Sequence, residues 1–537
     1  MHWCLSSASG HRLVACLWVL MACLFSPWPS WAFDRTNVPL KNWGGFSVNR
    51  SSVYDALEKV VLAGLADQAL LNTKPLSRVE AARIVAQAVR RLDWDKYGDY
   101  NHRGYLEDVI YQLVEEFGAE LAEMGVKTPL NREASPGFFG ITPVDHAQFG
   151  IAFAGRKQSV VNNFGNSASK GSNPYSTLDG RAHAGDFFSL YYQPEFSSDG
   201  DSYQGRMRTG YGKLTFWNTE LEVGRDSLWW GPGFRGSMLF STNAAPLDQV
   251  RLSAAEPFRL PWLLSYLGPM KATLLAARLE KDRDFSNSYV GGYRLNLAPW
   301  RFLEIGHGRG FQFGGEGRGF KGRDFPRIVF TQGSDDPTSP ININNLVSYD
   351  ATLRIPEVDR YVPLTRDMAL YFEVGWDDTH SGYFIPDKPG GTVGAYLAGF
   401  LGDPKLDLRF EYTQTSDIMF THSLYTSGFA YKGSALSHFV GTKGSEIFLR
   451  ASRWINPDLL VGFQSSRAEI GPTASGLLGL PREKRDSFGF DVSYRVTDRS
   501  SIFLGYDFAR IKDRGFVAGR TGNDNLFRFE YTRSFGK

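Results

Sequence analysis

From about Pro136 onward the sequence alternates apolar with polar residues over short stretches, joined in turn by tight turns and by long loops. Leu406-Asp-Leu-Arg-Phe-Glu-Tyr412, Phe488-Gly-Phe-Asp-Val-Ser-Tyr-Arg-Val496 and Leu526-Phe-Arg-Phe-Glu-Tyr-Thr532 each put one kind of side chain on each face of an extended strand; Met368–Trp376 does so less strictly. Gly402-Asp-Pro-Lys405, Asn456-Pro-Asp458 and Thr497-Asp-Arg-Ser500 are the tight turns. The links around 416–445, 469–485 and 512–524 are long and rich in Gly, Ser, Thr and charge. Short connections at one end and long ones at the other predict a mainly β protein, a transmembrane antiparallel β-barrel over 136–537. At about 22 residues per strand and loop, the span from about 145 to the end predicts roughly 16 to 18 strands. A final strand carrying Phe527, Phe529, Tyr531 and Phe535 suits a closing strand. A soluble sandwich or propeller would bury its apolar faces in a core and repeat a blade motif, and no such repeat is present.

Composition agrees with a wall that is greasy outside and polar inside: 42% of the 537 residues are hydrophobic and 14% aromatic. A net charge of +2 argues against nucleic acid as a partner. His11-Arg12, the apolar run Leu13–Phe25 and the end Ser26-Pro-Trp-Pro-Ser-Trp-Ala32 read as a secretory signal peptide over 1–32, since the run is too short to span a bilayer. Cys4, Cys16 and Cys23 all lie in that leader, so disulfides and thiolate metal sites are excluded from the mature chain. Leu13-Val-Ala-Cys16 and Leu20-Met-Ala-Cys23 only loosely match lipoprotein processing sites: the first lacks a preceding apolar run and the second carries a bulky Met.

Residues 33–135 read as a periplasmic α-helical domain. Val53, Leu57, Val60 and Val61 share one helical face; Ser77 and Glu80 form a capping box ahead of Ala81, Ile84, Val85 and Val89. A third helix over Tyr105–Met124 repeats Leu106, Ile110, Leu113, Phe117 and Leu121. The stretch Leu65–Arg83 resembles a single S-layer-homology motif, which sets wall binding beside a plain helical bundle.

The densest motif runs from Asp226 to Pro246 and packs Trp229-Trp-Gly-Pro-Gly233 into a strand-like lead-in. Adjacent Trp side chains on an extended chain point to opposite faces, and Gly-Pro-Gly ends a regular ladder, so two large anchors brace a bend. Trp229, Trp230, Gly231, Pro232 and Gly233, then Gly236 and Ser237, then Asn243 and Pro246, resemble the central motif of the Wzi family of capsule-assembly outer-membrane proteins. Phe410-Glu-Tyr-Thr-Gln-Thr415, Thr421-His422, Tyr425-Thr-Ser-Gly428, Tyr431-Lys-Gly433 and Ser437-His438-Phe-Val-Gly441 are similar to that family's downstream run, with a fainter match at Ser348-Tyr-Asp350 and Trp376-Asp-Asp378. Thr242, Ser437 and Lys443 depart from its usual pattern. The resemblance implies an outer-membrane barrel of about 18 strands with a periplasmic helical bundle, acting as a lectin for capsular or extracellular polysaccharide. Peptidoglycan and polysaccharide-export components are the further candidate partners, left open for the helical domain, beside outer-membrane lipid.

Saccharides are gripped by aromatic faces and planar polar side chains. The glycine-rich stretch Gly306–Asp324, read as a long loop, offers Arg309, Arg318, Lys321 and Arg323 beside Phe311, Phe313 and Phe320, cations suited to an acidic polymer. His422, Tyr425 and His438, from the family-like run, are the other binding candidates, with the WWGPG residues either architectural or binding. Gly317-Arg-Gly-Phe-Lys-Gly322 matches a dinucleotide fingerprint without its strand and helix. No histidine pair has metal spacing, no nucleophile elbow is present, and Asp335-Asp336 and Asp377-Asp378 point their neighbours to opposite faces. No cofactor, metal or catalytic residue is therefore expected. A surface lectin leads, with a diffusion porin as the alternative and an outer-membrane hydrolase third.

Overall fold

The computed structural model describes residues 33–40, 53–94, 100–128, 138–198, 202–330, 334, 336–377 and 388–535. The leader assigned to 1–32, Asp335, Asp378 and His380 lie outside them. Alternation becomes strand throughout the region where it was read. The first strands are β1 (Phe139–Ala154), β2 (Gly171–Ala184), β3 (Phe188–Ser198), β4 (Tyr203–Phe216), β5 (Thr219–Asp226) and β6 (Leu247–Ala254). The middle ones are β7 (Met270–Arg278), β8 (Tyr289–Trp300), β9 (Leu303–Phe313), β10 (Asn344–Ile355), β11 (Thr365–Asp377) and β12 (Gly390–Phe400). The last are β13 (Leu406–Gln414), β14 (Ser445–Asn456), β15 (Leu459–Ile470), β16 (Glu483–Thr497), β17 (Ser500–Lys512) and β18 (Gly522–Ser534). These eighteen strands form one closed antiparallel barrel, each pairing with the next in sequence. Closure comes from β1 against β18, in register from His146 opposite Ser534 to Ala154 opposite Leu526.

Strand parity gives the wall its two chemistries. Along β13, Asp407, Arg409, Glu411 and Thr413 are buried in the lumen, whereas Phe410 is 42% and Tyr412 37% exposed on the outer face. Phe149, Phe490 and Phe529 likewise stand exposed outside, and Arg294, Glu304 and Asp350 are buried inside. A soluble fold reverses this arrangement; a lipid-facing cylinder requires it.

The amino-terminal region forms α1 (Val53–Leu62), α2 (Arg78–Trp94), α3 (Tyr100–Glu116) and α4 (Gly118–Glu123). The single third helix expected over Tyr105–Met124 is two, because Phe117 leaves helical geometry (φ −108°, ψ 19°) to cap α4. The expected capping box forms: Glu80 N–H donates to Ser77 Oγ (3.2 Å) and Ser77 N–H to Glu80 Oε2 (2.9 Å). Leu57, Val60, Val85, Leu113, Phe117 and Leu121 share one apolar cluster. Ion pairs seat these helices against the barrel end that carries the tight turns. Lys59 meets Asp407 (2.8 Å), Arg409 meets Glu58 (2.8 Å), Lys271 meets Glu80 (2.5 Å) and Arg495 meets Glu115 (3.4 Å).

Two segments of this region enter the lumen. Asn37 donates from Nδ2 to Glu222 (2.7 Å) and Asp226 (2.9 Å) and accepts from Lys213 Nζ (2.7 Å). Farther along the chain, Glu304 accepts the N–H groups of Leu71 (2.9 Å) and Asn72 (2.8 Å), and Asn72 donates to Asp350 and Thr352 (both 3.0 Å). Lumen charges are thereby paired rather than left in a dry interior, which would cost several kcal/mol per ion, to order of magnitude.

Phe410 lies midway along β13 on the outer face, so Phe410→Arg is expected to destabilise the barrel by about 2–4 kcal/mol in vesicle unfolding titrations. A loss below about 1 kcal/mol would mean that face does not meet hydrocarbon.

Candidate functional site

The connection between β5 and β6, residues 227–246, turns into the lumen instead of rising above the rim. Its Trp229-Trp230 couplet pairs antiparallel with Thr73-Lys74, and Gly231 N–H donates to Asn72 O (2.8 Å). Opposite parity then sends the two rings to different cores. Trp229 joins the cluster that contains the helices' apolar residues together with Phe234 and Phe448; Trp230 joins Met238, Leu239, Phe240, Phe420 and Phe429. Each Trp is only 1% exposed. The couplet thus bolts the helical end of the molecule to the core beneath the long loops.

Wall carboxylates hold the bend that follows. Glu411 accepts the N–H of Phe234 and that of Arg235 (2.8 Å), Glu373 accepts Met238 N–H (3.0 Å), and Arg235 pairs with Glu446 (3.0 Å). Trp229 Nε1 donates to Gly233 O (3.1 Å), and Ser237 bonds the Trp230 carbonyl. A Cβ on Gly233 would collide with the Gly236 carbonyl, and one on Gly236 with the His438 ring. Gly236 and His438 belong to the two separate stretches that carry the family resemblance, and here they touch. His438 is fully buried: its Nδ1 accepts Val440 N–H (3.3 Å) and its Nε2 lies 3.4 Å from Thr413 Oγ1. Burial first, then the nearby Arg235 charge, pushes its pKa down to about 3.

Three loops lock around this core. Ser241 N–H donates to Leu436 O (2.8 Å) and Asn243 Nδ2 to Ala435 O (3.1 Å), tying 227–246 to 415–444. Phe164 and Gly165 donate to the carbonyls of Thr242 (2.8 Å) and Asn243 (3.0 Å), tying in 155–170. Pro232 and Pro246, both half-buried, bracket the bend.

The cationic candidates separate. Arg309 is not on a loop but on β9, on the outward parity, buried under the helix α5 (Phe325–Phe330); it donates to Val329 O (2.6 Å) and Asn345 Oδ1 (3.1 Å). Arg318 staples its own loop, donating to the carbonyls of Pro337 (2.8 Å), Ser339 (2.6 Å) and Asn342 (2.8 Å). Lys321 and Arg323 are exposed. His422 Nδ1 accepts the N–H groups of Leu424 (3.1 Å) and Tyr425 (3.3 Å), a local turn, and the buried Tyr425 ring packs 5.2 Å from Phe285. Arg318 also lies over the Tyr425 ring (5.8 Å) and His422 packs beside it (5.7 Å), so these three candidates meet, whereas Arg309 sits under α5 and His438 in the core of the 227–246 bend.

The long-loop end instead encloses an 800 Å³ vestibule. Lys157, Arg485, Arg514 and Arg520 line it together with Glu280, Asp282, Glu483 and Asp524, a balance of charge, with Phe439 and Phe516 as aromatic walls. Among the described residues, Asn243 is the residue of the Trp229–Pro246 motif that lines it. A second cavity of 330 Å³ runs beside the lumen filling along β1–β4 and β18 and shares Lys157, Gly165 and Asn166 with the first. The sequence flagged 469–485 and 512–524 as long charged loops, but nothing in it said which loops converge. Asp145, His146 and Asp179 bring metal-type ligand atoms within 4.8 Å of one another. They are already engaged, His146 with Asp179 (3.1 Å) and Arg181 with Asp145 (3.2 Å).

A family model described as capsule assembly protein Wzi matches residues 150–526. A Klebsiella pneumoniae protein described as an uncharacterized 55.8 kDa protein in the cps region is 32% identical over 124 residues, 21% of this chain and 25% of that one, so the match spans a quarter of the relative. A solved structure of Wzi, described as an outer-membrane protein involved in group 1 capsule assembly in Escherichia coli and a carbohydrate-binding β-barrel, superposes with TM-score 0.68 at 17% identity. It covers 92% of this chain and 100% of its own.

Folded His438 stays neutral while the unfolded imidazole takes up a proton below its ordinary 6.5, so stability falls as pH drops from about 6.5 toward about 3. His438 is expected to contribute up to about 2–3 kcal/mol of loss between pH 6.5 and about pH 4.5 in thermal unfolding, a component absent from His438→Gln. Gly236→Ala should cost about 1–3 kcal/mol by overpacking, with part recovered in the double variant carrying His438→Ala; additive losses would show that the two do not touch.

Proposed function

Because the chain belongs to the capsule assembly protein Wzi family, we propose that it is an outer-membrane lectin that attaches capsular or extracellular polysaccharide to the cell surface. The observation that carries this reading is the 800 Å³ vestibule at the long-loop end, whose lining loops are hydrogen-bonded to one another through Gly165, Asn243 and Ala435. Sugars present C–H faces and hydroxyl pairs together, and this cavity offers Phe439 and Phe516 beside Arg, Glu, Asp and Asn side chains. Its matched charges support recognition through many directed hydrogen bonds over capture of one sign of polymer charge. Lys321 and Arg323, exposed on the connection between β9 and β10, add cations that suit an acidic sugar. The polymer is bound without turnover, so the proposal includes no catalytic residue.

The helices lie at the tight-turn end, opposite the vestibule, which supports their placement in the periplasm after removal of residues 1–32. Peptidoglycan or polysaccharide-export components are the partners proposed for them.

Cells expressing a variant with Lys157, Arg520, Lys321 and Arg323 all changed to Ala are expected to retain severalfold less surface polysaccharide at equal barrel levels. Asn243→Ala, in the vestibule lining, should act in the same direction. Retention equal to the parent in both would remove the vestibule as the binding site.

A further inference from the structure

The connection between β6 and β7, residues 255–269, does not simply close the tight-turn end. Along β7, Lys271 and Thr273 are buried in the lumen, and Lys271 reaches Glu80 of α2 (2.5 Å). Met270 has the opposite parity, shared with Leu274, which is 45% exposed on the outer wall; yet Met270 is only 5% exposed. Ala254 repeats the pattern, at 2% where its outward-facing companions Val250 and Leu252 are 46% and 40% exposed. Phe258 and Leu260 cover these positions, clustering with Ala254, Met270 and the outward-facing Leu295 and Leu297 of β8. Backbone bonds in both directions fix Phe258 opposite Met270 (2.9 and 2.8 Å). Phe258 and Leu260 therefore lie on the lipid side of the wall, whereas Glu256 and Arg259 turn to Arg83 and Gln68 of the helical region.

Beyond Leu260 the connection forms a short 3₁₀ turn, Trp262–Leu267, in which no residue is buried. Trp262 is 92%, Leu263 81% and Tyr266 80% exposed. No charged residue occurs between Leu260 and Met270. Trp217 and Trp300, at the two neighbouring tight turns, are also exposed aromatics at the same rim. A contiguous apolar tip of this kind is unfavourable in water, and Trp and Tyr above Leu is the composition that settles at a membrane interface.

We propose that Trp262–Leu267 is an interfacial foot, immersed at the headgroup–acyl boundary of the periplasmic leaflet, with phospholipid as its partner. Continuity with the lipid-facing wall through Phe258, Leu260 and Met270 favours lipid over a protein, since any protein docking there would itself have to sit in the bilayer. The foot adds an apolar wedge to one side of the rim and so resists vertical displacement of the barrel by forces on its outer loops.

The test uses the full chain with Cys4, Cys16 and Cys23 changed to Ser and a single Tyr266→Cys or Leu263→Cys carrying a polarity-sensitive fluorophore. The protein is placed in phosphatidylethanolamine–phosphatidylglycerol vesicles with lipid spin-labelled either near the headgroup or deep in the chain. Asp498→Cys, on the water-exposed turn between β16 and β17, is the reference. Expected at both foot positions are blue-shifted emission, severalfold stronger quenching by the shallow label than at Asp498, weaker quenching by the deep label, and little quenching by iodide. Emission and iodide access equal to those at Asp498 would overturn the proposal. So would a blue shift that grows with protein density at fixed lipid composition, because the face would then be covered by a second copy.

Discussion

Hydrocarbon offers no hydrogen-bond partner, so every backbone N–H and C=O of the wall must be satisfied within the sheet, and the pairing of Phe139–Ala154 with Gly522–Ser534 is what leaves no edge. The rest of the architecture follows from that closure. Alternate side chains of each strand must be apolar because they meet lipid; the remainder face a lumen and can be charged. An eighteen-strand lumen is wider than wall side chains can fill. Charges such as Asp350 and Arg294, 2.6 Å apart and both wholly buried, are tolerable only with further partners, and these come from chain outside the wall: Asn37, Asn72, Thr73 and the 227–246 loop.

The Trp229-Trp230 couplet makes that filling one object rather than several. An extended dipeptide presents two opposed faces, so a single short ladder on Thr73-Lys74 lets one ring complete the helical core and the next complete the loop core. Glu373 and Glu411 secure the bend through backbone N–H groups, and Gly236 admits the His438 ring from the 415–444 loop. The rim loops are in this way held from below, and a rim already ordered would lose less entropy on binding the polysaccharide proposed as its ligand.

Much of this was legible in the sequence. Period-two alternation with unequal connections gave the barrel and its approximate strand number, the capping box at Ser77 located α2, and the opposed Trp side chains foretold a brace. The stretch from Gly306 onward reads as loop, yet up to Phe313 it is strand, for a physical reason. Gly306, Gly308 and Gly310 occupy the lumen face of β9, where a side chain would collide with Arg294 and Asp350, Leu239 and Phe429 respectively. Glycines that make room for the lumen filling erased the alternation that marks a strand, and Arg309 was carried along with them. His438, a binding candidate by sequence, is buried because three loops meet around it, a long-range fact that local pattern does not hold. Which loops line the vestibule was hidden for the same reason.

The claim on which the account turns is that the lumen is occupied by the protein's own chain, so that this barrel holds sugar at its rim instead of passing solute. Single-channel recording of the purified full chain in a planar bilayer tests it most directly. The account predicts a bilayer that stays silent, without the stepwise, ohmic currents of an open barrel of this size. Steady conductance steps of porin magnitude from the unmodified protein would contradict it.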